Sequence, residues 1–88
     1  MVRVSVVPET LIRERRAMAT AVRELRARRA MKQEEVADAA GLGRNYLTTL
    51  ERGRMNPSFE ALVCIARALG VEFSELARLY EDRLHESA

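Results

Sequence analysis

The side chains best suited to specific chemistry in this chain are Arg44, Asn45, Thr48 and Thr49, which fall within six residues of one another in the segment RNYLTTLE. They are hydrogen-bonding groups, not nucleophiles or metal ligands. A guanidinium presents a planar fork of donors that matches O6 and N7 of guanine, and a carboxamide can pair its donor and acceptor with N6 and N7 of adenine. Threonine offers a hydroxyl to a base edge and a methyl group to that of thymine. Such a set needs a rigid element that holds all four on one side and admits them to the edges of stacked bases. An α-helix fits the major groove and can do both.

The residues around the four supply that element. In QEEVADAAGLGRNYLTTLER, residues 33–52, Val36, Ala37 and Ala40 give a short first helix an apolar and small stripe, and Leu47 and Leu50 give a second helix the facing stripe. Between them sits Gly41-Leu42-Gly43. Gly41 can adopt the positive φ that ends a helix, Leu42 can fill the wedge between the helices, and Gly43 is a permitted N-cap without a side-chain acceptor. This spacing predicts a helix-turn-helix over 33–52, with Arg44, Asn45, Thr48 and Thr49 on the exposed side of the second helix.

From about Ala19 to Leu79, the stretches VRELRARRAMKQEEVADAAGL, RNYLTTLERGRMNPS and FEALVCIARALGVEFSEL resemble the five-helix domain of the Cro/phage-repressor (XRE-type) helix-turn-helix family. The resemblance implies an all-α fold and sequence-specific binding of double-stranded DNA. It puts Arg44, Asn45 and Thr49 at base-reading positions and Gln33 where the family places a glutamine that bonds a phosphate and braces the reading helix. It also implies that Arg26 and Glu51 pair beneath the motif. Two positions depart from the family pattern. Lys32 and Gly43 stand where a capping hydroxyl is usual, so each helix start loses a side-chain cap, although Lys32 can contact a phosphate as a point charge. Arg52, Arg54 and Asn56, in the loop after the second motif helix, are further phosphate candidates, with a solvated loop as the alternative.

Charge distribution agrees with a polyanion on one side. The net charge is only +2, yet residues 1–32 carry +6, residues 33–55 carry −1 and residues 56–88 carry −3. No apolar run approaches the roughly 18 residues of a membrane span, and Arg3 and Pro8 interrupt the valine-rich start before it could act as the apolar part of a signal peptide. A single cysteine permits no internal disulfide, which fits a reducing compartment. These readings point to a cytoplasmic protein with no membrane partner.

Val2, Val4 and Val6 alternate with Arg3 and Ser5, so residues 1–7 read as an arm or a short strand that pairs with its equivalent in a second subunit. Residues 8–88 read as one domain. A long first helix over about 8–29 follows Pro8, with a break near Ala17–Thr20 as the alternative. The motif helices cover 33–40 and 44–52, with Gly53 as a stop. Ser58 caps a fourth helix ending at Leu69-Gly70, and a fifth runs from Phe73 to about Leu84.

The fourth helix carries Phe59, Leu62, Val63, Ala66 and Leu69 on one face, and Ala61, Cys64, Ile65 and Ala68 continue around most of its circumference. A helix apolar nearly all round should be covered on more than one side. The expectation is therefore a symmetric homodimer through the last two helices, with Cys64, Ile65, Ala68, Leu76, Leu79 and Tyr80 at the interface. A twofold dimer would set its reading helices about 34 Å apart and require a palindromic operator.

An enzyme finds little support. His85 lies near the end and Cys64 in an apolar helix, so no nucleophile–base pair is suggested, and neither a glycine-rich phosphate loop nor metal-ligand spacing occurs. No cofactor, metal or small-molecule ligand is implied. The rival class is a protein-interaction module such as an antitoxin or an antagonist of another regulator. It predicts a neutral or acidic reading face, whereas Arg44, Arg52 and Arg54 surround this one. RNA polymerase is admitted as a further partner. Among biological settings, phage repressor, restriction–modification controller, antitoxin and general regulator all stay open, and the small size makes a controller-type or autoregulatory protein attractive.

Overall fold

The computed structural model describes residues 9–86; the valine-rich segment 1–7, Pro8 and the last two residues lie outside them. Five α-helices make up the fold, α1 Glu9–Arg28, α2 Gln33–Ala40, α3 Arg44–Glu51, α4 Phe59–Ala68 and α5 Phe73–Glu86, with no strand among the described residues. α1 runs through Ala17–Thr20 without a break. Thr20 is accommodated there by donating its hydroxyl to the Arg16 carbonyl one turn back.

Each of the first four helices ends in the same reversal, in which the chain turns left-handed and two backbone N–H groups reach back to the last turn. At the end of α2, Gly41 takes φ 72°, and Gly41 and Leu42 donate to Asp38 and Ala37. Leu42 is thereby turned onto the core. At the end of α1 the left-handed residue is Ala30, φ 54°, where an L side chain costs about 1–2 kcal/mol. Arg26 helps hold that turn by donating from Nη1 to the Met31 carbonyl at 2.8 Å.

The core is drawn from every helix. Val22 of α1, Val36 of α2, Leu47 and Leu50 of α3, Ile65 of α4 and Leu76 of α5 are all fully buried, and Leu69 after α4 joins them. α4 packs against both α2 and α5, and α1 packs against both α3 and α5. This arrangement corrects the expected dimer interface at Ile65, Leu76 and Leu79, while Cys64, Ala68 and Tyr80 are half-buried. Ile65 and Leu76 have no exposed surface at all and Leu79 only 8%, so all three belong to the core of the single chain. α4 is apolar around much of its girth because its own neighbours cover it on two sides. The buried residues of α4 are Ala61, Ile65 and Ala66, so of the expected stripe Ala66 is buried, as is Leu69 just after the helix, whereas Phe59 is 67% exposed. α5 also continues two residues past Leu84, to Glu86.

Candidate nucleic-acid interface

α2 and α3 meet at the Gly41 turn with their apolar residues facing inward. Val36 and Ala37 on one helix, Leu47 and Leu50 on the other, are buried, which leaves Arg44 and Asn45 at the exposed start of α3. No side chain caps either helix. At α2 the Glu35 carboxylate instead accepts the Lys32 backbone N–H at 2.7 Å, the reciprocal half of a capping box. At α3 the N-cap Gly43 leaves open space around its α-carbon.

Beneath the motif lies one connected polar network. Glu51, the last residue of α3, is 3% exposed, and its carboxylate accepts from Arg26 Nε at 2.8 Å, Arg26 Nη2 at 2.9 Å and Gln33 Nε2 at 2.9 Å. Gln33 Oε1 in turn accepts from the Thr48 hydroxyl at 3.1 Å. The bidentate contact with Glu51 raises the Arg26 pKa further above its ordinary value, and burial works against it. The network joins α1, α2 and α3, so the crossing angle of the motif is fixed by directional bonds as well as by apolar packing. Arg23 adds a donor at 2.6 Å to the part-buried Glu51 carbonyl at the C-terminal end of α3, where the helix dipole favours a cation.

A family model described as helix-turn-helix matches residues 22–76, which spans the network, both motif helices and α4. An uncharacterized HTH-type transcriptional regulator, y4dJ, from Sinorhizobium fredii is 46% identical over 52 residues, 59% of this chain and 68% of that one. This chain belongs to the Cro/phage-repressor type of the helix-turn-helix family. Solved structures of other proteins share the fold, among them two at 30% identity or more. One is the clp gene regulator ClgR from Corynebacterium glutamicum, at 30% identity and TM-score 0.80, covering 84% of this chain and 79% of that one. The other is the restriction-modification controller protein C.AhdI from Aeromonas hydrophila, at 35% identity and TM-score 0.68, covering 70% and 94%. Against two further relatives the chain spans less than half of their length.

Within this helix-turn-helix protein the residues singled out from sequence divide into two groups. Arg44, Asn45, Arg52, Arg54, Asn56 and Lys32 are exposed, and Thr49 is half-buried. Gln33 and Thr48 are half-buried and bonded to each other, so the Thr48 hydroxyl is directed at α2. Sequence reasoning missed three participants. Tyr46 accepts the Ser58 N–H on its phenol oxygen at 3.2 Å, tying the loop after α3 back to that helix. Arg23 sits at the end of α3, as described, and could have been found as the residue one turn before Arg26 on α1. Glu34 forms an ion pair with Arg44, Oε2 to Nη2 at 2.8 Å, and no periodicity pairs residues on two different helices. Among the described residues no group of acids, histidines and cysteine could hold a metal ion, and no helix is long and apolar enough to cross a membrane.

Proposed function

We propose that the chain is a sequence-specific double-stranded DNA-binding regulator of transcription that inserts the start of α3 into the major groove and acts as a homodimer on a palindromic operator in the cytoplasm. The single observation that carries this reading is the division of α3 into a buried face, Leu47, Leu50 and Glu51, and an exposed start bearing Arg44 and Asn45. Arg44 reads guanine, and Asn45 reads adenine. Thr49 stands one turn on, at the reach of a thymine methyl. Thr48 serves as a brace through Gln33, not as a reader. Lys32, Arg52, Arg54 and Asn56 lie at the two ends of the motif and suit the phosphates on either side of the groove, with the spare amide hydrogen of Gln33 beside them.

For the dimer face, exposure favours a set that keeps only Cys64 of the residues expected from sequence. Phe59 and Phe73 meet edge to face with ring centroids 5.4 Å apart, and Phe59 stays 67% exposed. Val63 and Ala77 lie one turn beyond each, both half-buried. These four, with Cys64, form the apolar surface that a second copy covers.

The test is selection of duplexes from a random library by the purified chain, followed by footprinting and sedimentation of the complex. Enrichment of a palindrome with half-sites about one helical turn apart, bound by two chains, is the expected result. Enrichment of no sequence, alongside capture of a protein partner by the same face, would transfer the chain to the class of antitoxins and antagonists.

A further inference from the structure

Arg44 is not free before it meets DNA. Its Nη2 lies 2.8 Å from Oε2 of Glu34, the second residue of α2, and both side chains are largely exposed. This is the only ion pair among the described residues that crosses from α2 to α3. Both members lie in the first turn of their helices, on the part of the motif that meets DNA in the proposed reading. A carboxylate in that position repels phosphate, so on affinity alone it is a liability. Its partner makes sense of it.

We propose that Glu34 is a positioning residue for base recognition: it holds the Arg44 guanidinium in the orientation that meets guanine and cancels its charge toward phosphate. The proposal rests on the reading of Arg44 as a base-contacting residue. A guanidinium has five N–H donors, and the Glu34 contact occupies a hydrogen on Nη2 only. Each terminal nitrogen therefore retains a hydrogen for the bidentate contact with O6 and N7 of guanine. Fixing the long side chain before binding removes part of the ordering cost of that contact. On random DNA the effect is opposite. An unpaired arginine at the groove gains from any phosphate it reaches, whereas a paired one brings no net charge and gains little. Glu34 therefore widens the gap between specific and random affinity.

The experiment uses the full chain as wild type, Glu34→Gln, Arg44→Ala and the double variant. The probes are the duplex selected by the wild type, the same duplex changed at the pair that Arg44 reads, and a random duplex, each titrated at several salt concentrations. Glu34→Gln should tighten the random duplex about 2- to 5-fold and steepen its log–log salt dependence by roughly one. Discrimination against the changed pair should fall by up to about fivefold, the upper range for an exposed ion pair, with the melting temperature nearly unchanged. In the Arg44→Ala background, Glu34→Gln should leave that discrimination untouched. Equal tightening on all three duplexes would make Glu34 a simple repulsive charge and overturn the proposal, as would no change on any. If the wild type selects no duplex, the base-reading role itself falls and takes this inference with it. If it selects one and discrimination survives Glu34→Gln, only this inference falls.

Discussion

Replacing Glu51 by alanine removes the acceptor at the centre of the polar network. Three N–H groups lose their partner together, two on Arg26 and one on Gln33. Deleting one member of a buried pair costs about 3–5 kcal/mol, chiefly because the other charge stays behind unpaired. Arg26 keeps 22% of its side-chain exposure while Glu51 keeps 3%, so water can reach part of the orphaned guanidinium. The lower end, about 3 kcal/mol, is the appropriate value. For a chain of this length that loss lowers the melting temperature by roughly 12–24 °C. Circular dichroism during heating, at fixed protein concentration, measures it. The companion variant replaces Arg26 by Met and Glu51 by Leu together; it should recover at least half of the loss, since no charge is then left uncompensated. A Glu51→Ala melting temperature within about 3 °C of wild type would refute the argument that this carboxylate joins the three helices.

Arg44→Ala should weaken the selected duplex by roughly 1–3 kcal/mol and the random duplex far less, as gel shift or anisotropy will show; a common factor on both would make Arg44 a phosphate contact. Phe59→Glu should give a folded monomer in sedimentation, whereas Ile65→Glu, by introducing a charge into the core, should unfold the chain; a dimeric Phe59→Glu protein removes that face from consideration. Ala30→Gly relieves a left-handed φ of 54° and should raise stability to denaturant by about 0.5–1 kcal/mol, the αL cost less the greater freedom of glycine in the unfolded chain. The Glu24 carboxyl is held below its ordinary 4.5, first by its hydrogen bond from Arg83, so the folded state binds fewer protons than the unfolded one. Its contribution is present above about 4.5 and is lost as the pH falls through the lower folded value, so the gap in melting temperature between wild type and Glu24→Gln should hold near neutral pH and narrow on acidification below about 4.5. A gap independent of pH contradicts the pairing.

Much of the helical layout is legible in the sequence, because the punctuation is local. Gly41, Gly53 and Gly70 each end a helix at positive φ, and Ser58 caps α4 by accepting the Ala61 N–H. Ala30 escapes such reading since its conformation is held in part by a contact from Arg26 to Met31, not by its own type. The misplacement of Ile65, Leu76 and Leu79 at an interface has a different cause. A helical wheel shows how wide the apolar arc of α4 is, but not how many neighbours the same chain brings to it. Ile65 and Phe59 are both apolar residues on that helix, and only the packing of α2 and α5 decides that one is buried and the other exposed. The bond between Glu34 and Arg44 is hidden for a related reason. It depends on the angle at which two helices cross, which no spacing within either helix encodes.

The eight residues of α3 separate two kinds of inheritance. Leu47, Leu50 and Glu51 answer to the interior and Thr48 to its bond with Gln33, and a change in any of them falls on the stability of the fold. Arg44 and Asn45 touch nothing in the core, so substitutions there leave folding intact and, in the proposed reading, alter only which duplex is chosen. In that reading, gene duplicates built on this scaffold can drift apart in their targets one residue at a time, every intermediate keeping the fold. Cross-talk between such duplicates is removed at two surface positions, with no renegotiation of the fold.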